Sequence, residues 1–368
     1  MISAAMRRAL TLARRGASSA SPNPMVGAVV VDASGRVVGE GYHVRAGSPH
    51  AEVIALTRAG ERAQNGRLFV TLEPCNHHGR TPPCTEAILR AGIKEVVVAS
   101  RDPNPHVAGK GIERLREAGV TVVLGDGSSE AERLNRPFFT WTRRQRPFIL
   151  LKSAMTLDGK VATRTGESRY LTGSSALSAV HEIRRTYDAI MVGVGTVLAD
   201  DPALTYRGPR KGRDPVRVVL DSRGRTPASA RLFHSGSAAP TLVFATERAS
   251  LAWEREIFSA GGEVITVGLG GDGRVALDQV MTHLADRQIL SVLAEGGPTV
   301  HASLIRDGLA DSWLGFVAPL IVGGPAPTPV AGDGVAHLAD ASRWVIQRVQ
   351  PIGPDALIEA DFAENPAP

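Results

Sequence analysis

Cysteine is all but missing from this chain: its 368 residues contain two, Cys75 and Cys84. That excludes the disulfide framework of a small secreted domain. In a reducing compartment it favours metal binding or catalysis over a bridge. Aromatic residues are also scarce, at 5%. No stripe of arginine or lysine accompanies them, so the basic, aromatic-bearing groove of a single-strand nucleic-acid binder has no counterpart here. Lysine is confined to Lys94, Lys110, Lys152, Lys160 and Lys211, and the net charge of +5 comes from scattered arginines. With the Ala, Gly and Pro richness this reads as compositional bias, or as affinity for anionic small molecules. No apolar run approaches the roughly 20 residues of a membrane span. The first 16 residues carry arginines in an Ala/Leu pattern, without the apolar core and cleavage site of a signal peptide. The expectation is a cytoplasmic protein with no membrane and no nucleic-acid partner; a homo-oligomer is compatible with it.

What is present is a long alternation of strand and helix patterns. A chain of 368 residues exceeds one ordinary core and suggests two domains. Residues 3–15 read as an amphipathic helix, and Ser21-Pro22-Asn23-Pro24 as a turn cluster. Strands over 25–31 and 36–42 form a hairpin. A helix follows with His50 and Glu52 in its first turn. A strand over 67–72 delivers Glu73-Pro74-Cys75, and a loop leads to Cys84 at a helix start. Strand 95–99, helix 111–118, strand 121–124 and a closing helix over 130–140 complete the first unit. The basic, proline-terminated stretch from Arg143 to Pro147 reads as the boundary, giving domains 1–145 and 146–368. Beyond it come strands at 148–153, 189–194, 216–221, 241–245, 263–267, 289–294, 312–317 and 344–349. Helices are expected over 174–187, 251–260, 277–285 and 298–307. Such alternation implies an α/β fold, sheets with helices on their faces. The tail from Glu364 to Pro368 looks disordered.

The chemistry concentrates in one constellation. His50-Ala51-Glu52, then Pro74-Cys75, then Cys84 provide one imidazole, two thiols and a carboxylate that need not be a ligand. Catalytic zinc takes three nitrogen or sulfur ligands and keeps a fourth position for water. Hydrolytic deaminases add a glutamate that shuttles protons, in the signature H-x-E followed by P-C-x-x-C. Here eight residues, 76–83, separate the cysteines instead of two. Two buried structural thiols are the competing reading, and His50 and Glu52 favour zinc over it. A closed four-ligand site using His77 or His78 would leave Glu52 without a role.

Several segments together resemble one family. They are Ser21-Pro22-Asn23-Pro24-Met25-Val26-Gly27, His50-Ala51-Glu52, the run from Thr71 to Cys84, and Asp102-Pro103-Asn104-Pro105. The run from Lys152 to Lys160, the run from Gly195 to Arg207 and Glu295-Gly296-Gly297 continue it. In this order they resemble the bifunctional deaminase/reductase of riboflavin biosynthesis, and the long cysteine loop matches that branch. The resemblance implies a cytidine-deaminase-like αβα domain followed by a dihydrofolate-reductase-like α/β domain. It implies zinc-dependent deamination of 2,5-diamino-6-(5-phosphoribosylamino)pyrimidin-4-one, then NADPH reduction of the ribosyl side chain to ribityl. The substrate is then a phosphorylated pyrimidine. A deaminase with a non-catalytic second domain, or a nucleic-acid base deaminase, are the alternative readings.

Carried over residue by residue, the resemblance makes His50, Cys75 and Cys84 the zinc ligands and Glu52 the proton donor and acceptor. It suggests deaminase substrate contacts from Asn23, His43, His77, Arg80, Asp102 and Asn104. In the reductase, Lys152, Ser168, Arg184, Leu204, Arg207 and Glu295 would face the substrate. NADPH would meet Ala154, Tyr170, Thr196, Asp200 and Ser222. It would also meet the run Gly297, Pro298, Thr299, Val300, His301, Ala302 and Ser303. Elementary chemistry agrees in places. Gly296-Gly297 ahead of a helix offers backbone N–H groups to phosphate, and Arg184 and Arg207 have paired donors for it. Ser222 with Arg223 suits a ribose 2′-phosphate. Tyr170 stands where the family usually has tryptophan, and the usual dinucleotide fingerprint is absent. Asp200 or Glu295 is the expected proton handler.

Overall fold

The computed structural model describes residues 2–78, 82–105 and 107–363. The chain divides between Arg146 and Pro147 into two compact units.

The first unit is a five-stranded sheet covered by helices on both faces. Its strands are β1 (Gly27–Val31), β2 (Val37–Tyr42), β3 (Arg67–Leu72), β4 (Glu95–Ser100) and β5 (Thr121–Leu124), in the order β2-β1-β3-β4-β5. β1 runs antiparallel to both β2 and β3, whereas β3, β4 and β5 are parallel. The helices are α1 (Ala4–Ala13), α2 (Ala51–Ala59), α3 (Cys84–Arg90), α4 (Lys110–Glu117), α5 (Ser128–Leu134) and α6 (Arg136–Arg144). All five residues of β1 are buried. Ala28 and Val30 pack with α2, α3 and α4, and Val29 and Val31 pack with α1. This is the uninterrupted valine run of a strand covered on both faces. The helix expected over 130–140 is two, because Asn135 leaves helical geometry (φ −105°, ψ 20°) and Pro137 lies in the first turn of the second, which starts at Arg136. Arg143 and Arg144 of the basic stretch close α6.

The second unit is a nine-stranded sheet. Its strands are β6 (Phe148–Thr156), β7 (Ala189–Gly193), β8 (Val216–Leu220), β9 (Thr241–Ala245) and β10 (Gly262–Thr266). β11 (Ser291–Gly296), β12 (Ser312–Ala318), β13 (Trp344–Ile352) and β14 (Asp355–Phe362) follow. The order is β10-β9-β8-β7-β11-β6-β12-β14-β13. Strands β10 to β12 in that order are parallel, and β14 is antiparallel to both neighbours. Helices α7 (Ser174–Arg184), α8 (Val194–Asp200), α9 (Leu251–Ser259), α10 (Leu277–Asp286) and α11 (Pro298–Arg306) connect them. Alternate residues of β6 feed the two cores: Ile149 and Leu151 one, Phe148 and Leu150 the other. Two elements were not expected. α8 starts directly where β7 ends, and its glycine-flanked sequence has no helical start signal. β14 is invisible from its own pattern because it inserts between β12 and β13. Among the described residues no helix is long and apolar enough to cross a membrane.

Candidate functional site

In the first unit three chain segments converge on one point. His50 is the N-cap of α2 rather than a first-turn residue, in extended geometry. Cys75 follows the end of β3, and Cys84 is the first residue of α3. The helix α2 reaches this position because β2 carries glycines: a Cβ on Gly39 or Gly41 would lie 2.1 Å from the Ala55 carbonyl oxygen or 2.3 Å from that of Ala51. The cysteine loop is closed at its base. Thr85 donates its N–H to the Cys75 carbonyl (3.3 Å) and its hydroxyl to Asn76 Oδ1 (2.8 Å). Sequence reasoning passed over Asn76 and Thr85, which only the fold brings together.

His50 Nδ1 lies 3.1 Å from Cys84 Sγ and 3.5 Å from Cys75 Sγ. One ligand atom from each residue falls within 4.8 Å of the others, and among the described residues no other such cluster is found. A tetrahedral zinc with ordinary bond lengths has nitrogen–sulfur edges of about 3.6 Å, so the donor set fits that ion in type and spacing. Cys75 is held down at about 4 because Cys84 donates its S–H to it, with His50 and the Cys84 N–H adding to the effect. Cys84 is pushed up for the same reason. Glu52 is 3% exposed and pushed up to about 7 by burial, against the pull of His50.

Of the expected substrate contacts, Asn23 and His43 come directly beside this cluster. The Asn23 amide nitrogen is 3.0 Å from His43 Nε2, which makes that nitrogen an acceptor and places the ring proton on Nδ1, towards the Pro49 carbonyl. Burial lowers the pKa of His43, in keeping with a neutral ring. The His43 ring meets that of His50 edge-on, with centroids 5.4 Å apart. His77 is exposed. Burial raises the pKa of Asp102, whose Oδ1 accepts the Asn104 N–H at 2.8 Å. Arg80 lies outside the described residues.

In the second unit a cavity of about 870 Å³ opens where β6, β7, β8 and β11 end, the usual ligand crevice of a parallel sheet. Lys152, Ala154, Ser168, Tyr170, Thr196 and Asp200 line it, as do Ser222, Glu295, the run Gly297 to His301 and Ser303. Backbone makes the cradle: a Cβ on Gly296 would lie 2.8 Å from Thr196 Oγ1, and Gly297 (φ 83°) caps α11 without a side-chain hydrogen bond. Tyr170 is 75% exposed at this cavity, an aromatic face open for stacking. Dinucleotide phosphates fit such glycine-lined backbone and helix starts.

Four expected residues do not line the cavity. Arg184 forms a bidentate pair with Glu295, Nε to Oε1 at 2.6 Å and a terminal nitrogen to Oε2 at 2.7 Å. A third bond goes to the Thr205 carbonyl. The paired donors expected to meet phosphate are therefore spent on a buried carboxylate. Arg207 is exposed, and its guanidinium meets the Thr205 hydroxyl. Leu204 is 2% exposed in the core, at an unusual φ of 50°. Ala302 sits on α11 away from the lining. Burial alone would raise Glu295, but Arg184 and then Lys152 hold it low; burial lowers Lys152. Ser222 already accepts the Val275 N–H at 3.0 Å, and Arg223 and Arg225 line the cavity beside it.

Comparison with known proteins gives a consistent picture. Residues 1–100 match the family described as the cytidine and deoxycytidylate deaminase zinc-binding region. Residues 147–358 match the RibD C-terminal domain. The riboflavin biosynthesis protein RibD of Bacillus amyloliquefaciens is 41% identical over 356 residues, covering 96% of this chain and 95% of that protein. The structure of Acinetobacter baumannii RibD superposes with a TM-score of 0.87 at 36% identity, covering 98% of both chains. That of a Thermotoga maritima diaminohydroxyphosphoribosylaminopyrimidine deaminase/5-amino-6-(5-phosphoribosylamino)uracil reductase does so at 0.84 and 37%, again over 98% of both.

Proposed function

The chain belongs to the RibD family of riboflavin biosynthesis and joins a zinc-dependent deaminase to an NADPH-dependent reductase, and from that premise we propose its substrate and the residues that act on it. The substrate is 2,5-diamino-6-(5-phosphoribosylamino)pyrimidin-4-one. The first unit converts it with water to 5-amino-6-(5-phosphoribosylamino)uracil and ammonia, and the second reduces the ribosyl arm to ribityl. The observation that carries the reading is the His50, Cys75 and Cys84 cluster with buried Glu52 against it.

His50, Cys75 and Cys84 hold the zinc, which when bound lowers the pKa of a water towards neutrality. Glu52 takes a proton from the attacking water and returns one to the amine as it leaves as ammonia, so the carboxyl ends as it began. A divalent charge on the three ligands opposes the burial that raises Glu52, keeping it available as a base. Asn23 and His43 form one hydrogen-bonded unit and leave the Asn23 carbonyl for a pyrimidine N–H. Asp102, Asn104, His77 and Arg80 complete the contacts.

In the reductase NADPH supplies the hydride, and it is held by the Gly297 to Ser303 segment, Thr196, Ala154, Asp200, Ser222 and Tyr170. Lys152 and Glu295 face the carbon that ring opening makes electrophilic, with Arg184 keeping Glu295 ionised. Ser168 and Arg207 are left for the substrate phosphate. Both partners are thus small molecules, and the setting is cytoplasmic.

A coupled assay tests the reading, following ammonia release, NADPH oxidation and zinc per chain. Glu52→Gln is expected to keep one zinc and lose ammonia release by at least about a hundredfold. Its NADPH oxidation with the deaminated substrate should be untouched. Retained deamination would remove Glu52 from the mechanism, and absence of zinc from the wild-type chain would remove the site.

A further inference from the structure

Glu73 is the first residue after β3, 4% exposed, and its N–H bonds the Ser100 carbonyl at the end of β4 (3.0 Å). A buried carboxylate needs hydrogen-bond partners, and the four found here are all backbone amides. Oε2 accepts from Asp102 at 3.3 Å and Gly109 at 3.1 Å, and Oε1 accepts from Gly111 at 3.1 Å and Ile112 at 3.3 Å. These amides belong to the two ends of one segment. Asp102 is the second residue of the loop after β4, and Gly109 to Ile112 are its last residue and the first turn of α4. The helix has no side-chain cap of its own, because its N-cap is Gly109 (φ 81°). Glu73 supplies from a neighbouring strand what aspartate or serine supplies at an N-cap. A Cβ on Gly111 would lie 1.9 Å from the Pro74 carbonyl oxygen, so the strand end and the helix start touch backbone to backbone.

Within the loop, the Asp102 carboxylate takes the Asn104 N–H, and the Asn104 carbonyl takes the N–H groups of Val107 and Ala108 at 2.9 and 2.8 Å. Those bonds shape the loop internally, while both of its ends are tied to Glu73. Cys75 follows two residues along the same strand end.

We propose that Glu73 is a positioning residue of the deaminase, one carboxylate that registers the Asp102–Asn104 substrate loop against the ligand Cys75. The proposal rests on the reading that Asp102 and Asn104 contact the pyrimidine. A loop position set by four hydrogen bonds to one buried carboxyl group is pre-organised, so little ordering cost falls on substrate binding.

Glu73→Gln keeps the volume but turns one acceptor oxygen into an NH2 group that faces two N–H donors. In the full chain it is expected to raise KM for deamination about tenfold and to change kcat by less than about threefold. Zinc should stay at one per chain, with NADPH oxidation unchanged. Hydrogen exchange at Asp102, Gly109, Gly111 and Ile112 should accelerate while α2 stays protected; unchanged exchange overturns the clamp. In an Asn104→Ala background, E73Q should add less than about twofold to KM, and a fully multiplicative effect overturns the positioning role. A wild-type KM in Asn104→Ala alone would refute the substrate reading, and the exchange data would then decide the clamp by themselves. Loss of zinc in E73Q would assign the carboxylate to the metal site and overturn the proposal. Should E73Q fail to fold, Glu73→Asp retains the charge and provides the same kinetic and exchange readouts.

Discussion

Arg184 has five N–H donors, and the fold directs three of them inward, two to Glu295 and one to the Thr205 carbonyl. The pair is nearly closed to solvent, with side-chain exposures of 12% and 7%. Removing one partner leaves the other charge buried and uncompensated, which costs more than the pair contributes. Arg184→Met is therefore expected to destabilise the reductase unit by about 3–5 kcal/mol in urea unfolding. NADPH oxidation should fall with it, and ammonia release should persist. If the urea midpoint stays put, the pair is not structural. An arginine is easily found in the sequence, but its partner here lies 111 positions away. Whether its fork meets a substrate phosphate or an internal carboxylate is a tertiary fact.

Elements place the zinc ligands by how closely they approach. Helix α2 carries His50 and Glu52, and it lies against β2 at Gly39 and Gly41 with no room for a methyl group. Gly41→Ala must push the helix away, because the atom in its path is the Ala51 carbonyl and not a mobile side chain. Overpacking of this kind costs upwards of about 2 kcal/mol. The expected outcome is zinc below one per chain and a matching fall in ammonia release, measured by metal analysis beside the activity. Full zinc in Gly41→Ala would show that the helix can yield. The hairpin and α2 were readable from valine richness, turn residues and helical period, and so was the strand β3. The tightness of their packing was not, since glycine in a strand pattern also reads as a bulge. The break at Asn135 was likewise hidden. Its amide pairs with Met25, bonding both N–H (2.7 Å) and carbonyl (2.9 Å), and that contact interrupts an otherwise helical run. It also holds the Pro24–Met25 end of the turn that presents Asn23.

At the scale of the whole molecule, some of the abundant arginines pair with partly or fully buried carboxylates. Burial alone would raise Asp272, but bonds from Arg274, Ser303 and Arg306 hold it down at about 2. Glu295 is also held below its ordinary value, despite its burial, chiefly by Arg184. A carboxylate with a lowered folded-state pKa stabilises the fold at pH values above its unfolded pKa, about 4. That contribution is lost as pH falls through the folded value. The urea midpoint of the wild type should thus exceed that of Asp272→Asn at pH 7, and the two should converge between about pH 4 and pH 2. A constant gap down to pH 2 would show that the Asp272 charge is not what matters.

The residue types and their order determined the chemistry. Histidine, glutamate and two cysteines in that pattern define a zinc deaminase, and the alternation of periods defines α/β units, because ligand chemistry and hydrophobic period are local properties. Tertiary structure alone decided which donors remain available. It committed Arg184 to Glu295, withdrew Leu204 into the core, slid β14 between β12 and β13, and gave Glu73 four amides to hold. Each of these depends on which distant segments meet, and burial then makes every polar group find its partner there.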